Sequence, residues 1–333
     1  MIEFIFTIDY EIYGNGLGSL KDLVYEPAEK LIEVFQKKKA TAVFFVEVAE
    51  LEMIDLLSTD PYLKKVKEQL KASRPGGFEI GLHLHPQWYK AKFNNGFWTL
   101  NYDEYNLCLL KKERIQEILA RALSYLRHLI DDDQFVPAAF RAGNWLINPA
   151  RNIAPLLVSE GIKIDSSVFM GGLQHFTQLD YRRAPKNLYF WRFTEDAIRP
   201  DPSGQMLEIP IHTRMIPTWK FLRGKRLNLE KYSPSKENFK QKLLKRAKDF
   251  LRWRVPLKFD FCRLNFQELV KMTEEIIKLD STSPQAYKPI VLIGHTKDNP
   301  DISLIENLLA FLNDKGIRTS SFQETYRKIS HDR

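Results

Sequence analysis

Cysteine is scarce in this chain, which has only Cys108 and Cys262 among its 333 residues. Two thiols are too few for a disulfide framework or for a zinc site built from cysteines. The first ten residues lack a basic region, a long apolar stretch and a small-residue cleavage site, so we expect no signal peptide. Together these features predict a cytoplasmic protein in a reducing environment.

Long hydrophobic runs are also missing, since no apolar stretch approaches the roughly 20 residues that a membrane-spanning helix requires. We find no internal repeat and no low-complexity stretch. A glycine-rich stretch at 14–18 lacks the spacing of a nucleotide phosphate loop. With 44% hydrophobic and 28% charged residues, the composition is that of a globular protein and excludes a disordered chain or a coiled coil.

The positive charge of the chain is concentrated in one segment. The whole sequence carries a formal charge of +8, but residues 220–263 hold 15 basic and four acidic side chains and carry +11, which leaves −3 for the remainder. Within this segment, an apolar face predicts a helix over Glu237–Trp253. Two interpretations stay open: a solvated helix packed on the protein, or a surface for an anionic glycan, a polyprenyl phosphate or the inner membrane leaflet.

Short apolar segments alternate with helical patterns, which predicts parallel βαβ units and an α/β fold. Two segments without this alternation, near 86–102 and 171–201, are predicted to be loop insertions at one end of a barrel. The predicted strands are Ile2–Ile8, Thr41–Val46, Phe78–Leu84, Val136–Arg141, Met206–His212, Pro289–Ile293 and Ile317–Ser321, and the predicted helices are Glu26–Lys38, Asp103–Ile130, Pro149–Glu160 and Ser303–Leu312.

Two carboxylates, Asp9 and Glu11, follow the first predicted strand. Residues two apart on an extended backbone point to the same face. Two carboxylates this close repel each other when both are ionised, so we expect a bound cation or a shared proton. From the spacing alone, a solvated strand end with a capping aspartate explains the pattern equally well.

Two histidines, His83 and His85, share one face at the end of the third predicted strand, and Pro86 stops the strand after them. Imidazole pairs on one face suit a zinc-class divalent metal, and a carboxylate from another strand commonly completes the set. The alternative is a pair of packed or surface histidines without a ligand.

Arg141 and His295 also end apolar strands. An inward-pointing arginine needs an acidic partner, for which Asp9 and Glu11 are the candidates. A histidine at a strand end is a candidate acid or base, although a single histidine there is more often structural. Each signal is weak when it is taken alone.

The order of these motifs resembles the polysaccharide deacetylase family, the NodB-type carbohydrate esterases, and especially its WalW-like branch linked to lipopolysaccharide biosynthesis. The family's TFDDG motif is similar to Thr7–Glu11, its RxPY motif to Phe140–Gly143, and its last motif to Leu292–His295. The fourth motif has two candidates here, Asp165 and Glu208. The resemblance extends over nearly the whole chain.

The resemblance implies a distorted (β/α) barrel with about seven parallel strands, formed as a single domain over residues 1–333. Loop insertions would lie near 86–102 and 171–201, and a basic helical insertion near 220–263.

The resemblance also implies roles for individual residues. Asp9 would be the general base, Arg141 would orient it, and His295 would be the general acid. Glu11 and His83 would be ligands of a divalent metal ion, for which zinc is the first choice.

The sequence departs from the family pattern in two places. The HxxxH motif requires a histidine at the position of Gln87, so His85, which shares a face with His83, is the available substitute as a ligand. The paired aspartates of the first motif are Asp-Tyr-Glu here, so base and ligand could be exchanged between Asp9 and Glu11.

The implied activity is removal of an N-acetyl or other acyl group from an amino-sugar polymer or glycolipid precursor in cell-surface polysaccharide biosynthesis. Trp88, Asn144, Trp145 and Glu208 are the predicted substrate contacts. Another C–N metal hydrolase on the same barrel and a catalytically degenerate carbohydrate-binding protein are the alternatives. We expect no nucleic-acid partner, because the chain outside the basic segment resembles an enzyme.

Overall fold

The computed structural model describes residues 1–174, 177–221, 252–284 and 286–331. At its centre lies a curved sheet of nine strands. Seven strands that follow one another across this sheet run parallel. Helices cover this sheet on its outer side. The prediction of a distorted (β/α) barrel with about seven parallel strands is therefore confirmed.

The described strands and α-helices are numbered in chain order. The strands are β1 (Ile2–Tyr10), β2 (Ala42–Glu47), β3 (Phe78–Leu84), β4 (Lys92–Asn94), β5 (Phe97–Thr99), β6 (Ala139–Ala142), β7 (Ile164–Asp165), β8 (Leu173–Gln174), β9 (Leu179–Asp180), β10 (Trp191–Phe193), β11 (Met206–Glu208), β12 (Thr213–Pro217), β13 (Arg254–Lys258), β14 (Lys288–His295) and β15 (Arg318–Thr319). The helices are α1 (Glu26–Lys37), α2 (Val48–Leu57), α3 (Leu63–Ser73), α4 (Lys112–Ile130), α5 (Ala154–Ser159), α6 (Thr218–Phe221), α7 (Phe266–Ser281), α8 (Ile302–Asp314) and α9 (Phe322–His331).

The sheet order is β10-β11-β7-β6-β3-β2-β1-β14, with β15 paired to β1. Only β10 runs antiparallel to its neighbour. The two sides of the curved sheet approach each other just beyond β11, where Ile211 forms a parallel bridge with Val291 of β14 and His212 N–H donates to the Val291 carbonyl at 3.0 Å. A short bridge in place of a full strand pair is what distorts this barrel.

Strand β1 shows how the sequence separates core from site. Its residues are buried almost throughout, as expected for a parallel strand covered on both faces. On the outer face, the Phe6 ring packs against Phe35 of α1, with ring centroids 5.2 Å apart. On the inner face, Thr7 and Asp9 contact the side chain of Arg141. The two-residue period thus sends aromatic residues to the helices and polar residues to the barrel interior.

The predicted helix over Asp103–Ile130 is wrong in its first part, because α4 begins at Lys112. Two short 3₁₀ turns precede it, at Tyr102–Glu104 and Leu107–Leu109. Asn101 and Asn106 begin these turns, and each side-chain oxygen accepts a hydrogen bond from the backbone N–H two residues later. Such local bonds compete with helix formation.

Several helices had no counterpart in the sequence prediction: α2, α3, α7 and α9. Helix α2 is apolar on most of its surface, so it lacks the amphipathic period by which a surface helix is recognised. The predicted helix over Glu237–Trp253 falls almost entirely outside the described residues. Among the described helices, none combines the length and apolar character needed to cross a membrane.

The buried aromatic residues around β2 allow a direct test of the core packing. Phe44 of β2 is fully buried, stacks on Phe78 with centroids 4.8 Å apart and contacts the ring of Tyr10. Phe44→Ala should lower the free energy of unfolding by about 3–5 kcal/mol, because it leaves a cavity that a sheet cannot close. Leu56→Ala, on the exposed side of α2, is the control and should change it little. Urea denaturation measures both, and equal effects would contradict this packing.

Candidate active site

The carboxyl ends of the parallel strands β14, β1, β3 and β6 bring the predicted site residues together, with β2 lying between β1 and β3. Asp9 of β1 is the register partner of His295 on β14, and His83 of β3 is the register partner of Arg141 on β6. Because parallel strands end at one edge of a sheet, these four side chains meet at one end of the barrel. Each is at most 4% exposed.

Arg141 is the structural centre of this cluster and is fully buried. Its guanidinium donates to Asp9 Oδ1 at 2.6 Å, to Thr7 Oγ1 at 2.9 Å and to the Ser166 carbonyl at 2.9 Å. The ring of Phe45 lies 4.1 Å from the guanidinium carbon and covers one face. Asp9 is thus held in one orientation by a planar donor group.

The electrostatics of Asp9 suit a carboxylate that stays ionised. Burial alone would raise its pKa, but the attraction of Arg141, His83 and His295 outweighs burial and holds the pKa well below its usual range. Its second oxygen, Oδ2, lies 3.4 Å from His295 Nε2. One oxygen of Asp9 therefore serves the arginine while the other faces the histidine.

His295 is held from its other side by residues that the sequence analysis missed. Its Nδ1 lies 3.2 Å from Asp298 Oδ2, and Asp298 accepts a hydrogen bond from Arg263 Nε at 2.9 Å. A carboxylate at Nδ1 orients the ring and directs Nε2 toward Asp9. The available signal was the Asp three residues after His295, which the short turn Thr296–Asp298 brings back beside the ring.

His83 and Glu11 form the next part of the cluster. His83 Nδ1 bonds to the Arg141 carbonyl at 2.8 Å, and because a carbonyl only accepts, Nδ1 carries the proton and Nε2 keeps a free lone pair. Burial lowers the pKa of His83, which favours the neutral ring. Its Nε2 lies 3.7 Å from Glu11 Oε2.

The two carboxylate oxygens of Glu11 face different partners, one a lysine and the other the histidines. Its Oε1 accepts from Lys297 Nζ at 2.7 Å, and its Oε2 lies 3.5 Å from His85 Nδ1 and has no hydrogen-bond partner among the described residues. Burial would raise the pKa of Glu11, but Lys297 and both histidines lower it to about 2. The carboxylate is therefore ionised at neutral pH.

A further carboxylate, Glu47, was also missed by the sequence analysis. It ends β2, one residue past the predicted strand, is fully buried and lies beside His83 in register. Its Oε2 is 2.7 Å from His85 Nδ1. Glu11, Glu47, His83 and His85 offer donor atoms that all lie within 4.8 Å of one another. Two imidazoles and two carboxylates, with one Glu11 oxygen unpartnered, are a donor set that fits a divalent metal.

Two of the predicted substrate contacts disagree with the structure. Trp88 is fully buried, with its ring edge-on to Trp98 at a centroid distance of 5.1 Å. Glu208 is also fully buried, pairs in register with Asp165 and accepts a hydrogen bond from Val168 N–H. Burial raises the pKa of both carboxyls. Neither Trp88 nor Glu208 exposes side-chain surface to a substrate, because both side chains are buried in the protein interior.

Asn144 and Trp145 lie at the mouth of the site, directly after β6. Both have positive φ, 55° and 60°, a conformation that is costly for a tryptophan and that recurs at functional sites. The preceding Gly143 is required, because a Cβ there would lie 2.4 Å from the Leu84 carbonyl oxygen. The Trp145 ring is 6.4 Å from that of His295, and Lys258 Nζ lies 3.1 Å from its centroid. One face of Trp145 is therefore already covered.

Comparison with known proteins places the fold. No protein-family model matches the chain, and no curated protein matches it. A proposed polysaccharide deacetylase from Mycobacterium smegmatis is 13% identical, with a TM-score of 0.55 over 99% of this chain and 90% of that one. A second proposed polysaccharide deacetylase, from Pseudomonas aeruginosa PAO1, is 12% identical, with a TM-score of 0.50 over 98% and 89%.

A protein of different activity shares the same architecture. A GH57 branching enzyme from Thermococcus kodakaraensis is 12% identical, with a TM-score of 0.53 over 98% of this chain and 70% of that one. At these identities the likeness shows the fold alone, which is the half-open (β/α) barrel of the deacetylases. The choice of reaction therefore depends on the residues of the site.

The pair between Arg141 and Asp9 predicts a measurable coupling. Arg141→Met leaves a buried carboxylate without its cation and should lower the free energy of unfolding by about 3–5 kcal/mol. The double variant with Asp9→Asn should lose clearly less than the sum of the two single variants, because it also removes the uncompensated charge. Chemical denaturation of all four proteins gives the coupling.

Arg182→Met, in the exposed pair with Asp180, is the control and should have little effect. Additive losses at Arg141 and Asp9 would contradict the pairing.

Proposed function

We propose that this chain is a hydrolase that removes an N-acetyl or other acyl group from an amino sugar in a polysaccharide or glycolipid precursor. The observation that carries the proposal is the position of Asp9, which Arg141 holds and His295 faces at 3.4 Å, beside a two-histidine, carboxylate donor set. This arrangement supports Asp9 as base, His295 as acid and a metal-binding group beside them at one strand edge. A role in cell-surface polysaccharide biosynthesis, as in the WalW-like branch, is part of the proposal.

The residues that would hold a divalent metal are Glu11, His83 and His85, with zinc the first choice for this donor set. When bound, such an ion would supply a positive centre that polarises an amide carbonyl and favours its attack by water. The His83 tautomer leaves its Nε2 lone pair available for this purpose.

The chain's own acid and base complete the reaction. Asp9 is ionised and oriented by Arg141, so Oδ2 is free to accept the proton of the attacking water. As the C–N bond breaks, His295 Nε2 donates a proton to the departing nitrogen, and Asp298 stabilises the charged imidazole. The amide and one water become acetate and a free amine. The Arg141 pairing supports Asp9 as base and Glu11 as ligand, since Glu11 faces the histidines.

Substrate contacts are proposed for Asn144 and Trp145. The strained backbone turns both residues toward the mouth of the site, and the side-chain nitrogen of Asn144 has no hydrogen-bond partner among the described residues. An unpaired amide donor suits a sugar hydroxyl or acyl oxygen. Trp145 has one face on Lys258, so a sugar ring would pack against the remaining exposed part.

The reaction is tested by acetate release from N-acetylglucosamine oligomers in the presence of Zn²⁺. Asp9→Asn and His295→Asn should each lower kcat by about 10²–10⁴-fold, because each removes one proton transfer. Asp131→Asn, at an 84% exposed aspartate, is the matched control and should retain full activity. Acetate release that is unchanged in both site variants would contradict the proposed roles. Rearrangement of α-glucans without acetate release would favour a sugar transferase instead.

We also propose that the basic segment 220–263 contacts an anionic membrane surface from the cytoplasmic side. Trp219 and Trp253 flank the undescribed residues 222–251, are 53% and 75% exposed, and have ring centroids 5.5 Å apart. Exposed tryptophans beside a basic sequence suit the membrane interface, where aromatic rings and cations bind together. A cytoplasmic location is supported by the two free thiols.

Binding to vesicles containing phosphatidylglycerol tests this contact. Reversing Lys240, Lys245 and Lys248 to Glu should weaken vesicle binding by at least about 100-fold, since each basic residue near an anionic surface contributes about 1 kcal/mol. The control reverses Lys111, Lys112 and Lys315, which are exposed elsewhere and give the same net charge. Equal losses in the two triple variants would show a general charge effect and overturn a localised contact.

A further inference from the structure

Three buried carboxyl groups surround the proposed metal-binding residues with too few cations to balance them. Glu11 is 3% exposed, and Glu47 and Glu50 are fully buried. Among the described residues, Lys297 is the only ammonium or guanidinium within 4.0 Å of any of the three. Unpaired negative charge in such a place is costly unless a proton or a cation neutralises it.

Glu50 and Glu47 differ in the groups that lie next to their carboxyl oxygens. Glu50 accepts a hydrogen bond from Ile12 N–H at 2.9 Å and has no imidazole of a described residue within 4.0 Å, and burial raises its pKa well above the usual range. Glu47 instead lies 2.7 Å from His85 Nδ1, and its other oxygen has no hydrogen-bond partner among the described residues. Each of the two carboxylates thus keeps one oxygen without a hydrogen-bond partner among the described residues, and Glu47 is the one whose donor atom is grouped with those of Glu11, His83 and His85.

The backbone places Glu47 there. It ends β2, between Glu11 after β1 and His83 on β3, and its register partner is His83. Three adjacent strand ends each contribute a donor, so the arrangement does not depend on one side-chain rotamer. The His85 nitrogen that faces Glu47 is the same Nδ1 that lies 3.5 Å from Glu11 Oε2.

The donor separations can be compared with those around a single ion. Two donors bound tetrahedrally at about 2.0–2.1 Å lie about 3.3 Å apart. Glu11 Oε2 lies 3.7 Å from His83 Nε2 and 3.5 Å from His85 Nδ1, close to that value. Glu47 Oε2 is at hydrogen-bond distance from His85 Nδ1, 2.7 Å, so these two atoms would move apart on binding one ion. A dication would also balance the charge of two carboxylate ligands.

We propose that Glu47 is a direct ligand of the divalent metal ion, which gives the site two histidines and two carboxylates. His85 stands in for the histidine that is absent at Gln87, and Glu47 is a further donor beside it. The proposal rests on the metal site of the proposed function but not on its reaction. The competing role is that Glu47 only orients His85 as a hydrogen-bond acceptor.

A crystal of the full chain soaked in Zn²⁺ distinguishes these roles through its anomalous signal. As a ligand, Glu47 should place a carboxylate oxygen about 2.0–2.2 Å from the ion, together with Glu11, His83 and His85. A Glu47 carboxylate beyond about 3 Å, still bonded to His85 Nδ1, would overturn the proposal. The wild-type protein suffices, so the test does not depend on a variant that folds.

Zn²⁺ affinity gives an independent measure by competition with a chelator. Glu47→Gln should weaken binding by more than about 100-fold, beyond the roughly 10–100-fold typical of residues that only orient a ligand. Glu50→Gln is the matched control, buried three residues away, and should stay within about threefold. Equal losses in both variants would overturn ligation by Glu47.

The result is separable from the reaction proposed above. If the ion binds with Glu47 as a ligand but no acetate is released, the ligand assignment stands and the deacetylase proposal fails. If acetate is released while Glu47 lies away from the ion, the reaction stands and the ligand assignment is overturned.

Discussion

The buried guanidinium of Arg141 is the interaction on which the site depends. It joins β1, through Thr7 and Asp9, to the segment after β7, through Ser166, and Thr7 in turn donates to the Leu292 carbonyl of β14 at 2.5 Å. On the far side of β14 the barrel is closed by isolated bridges rather than by a continuous strand pair. The arginine therefore contributes both to joining the strand ends and to fixing the proposed base.

A row of ionisable side chains continues from Arg141 across the end of the barrel. Arg141, Asp9, His295, Asp298 and Arg263 follow one another, each within 3.4 Å of the next. Asp9 and Asp298, the carboxylates of this row, each have a guanidinium on one side and the imidazole of His295 on the other, which offsets much of the cost of removing them from water. A separate group around Glu11 has excess negative charge. The site thus divides into a row to which we assign proton transfer and a group to which we assign cation binding.

Sequence reasoning was strongest where one strand carried the whole pattern. The pairs Asp9 with Glu11 and His83 with His85 are visible because residues two apart share a face, and the structure brings all four to one strand edge. Strand β3 was predicted with its observed bounds because it is apolar and begins after a proline-glycine turn. The barrel itself followed from such strands alternating with helices.

What the sequence could not supply was contact between strands. Glu47 and Asp298 are ordinary acids in the sequence, and only the register of β2 with β3 and the turn after β14 bring them to the histidines. Trp88 failed for the converse reason, since an aromatic residue beside a motif can belong to the core as readily as to a substrate surface. The contacts of a single polar residue therefore become predictable only when the neighbouring strand is known.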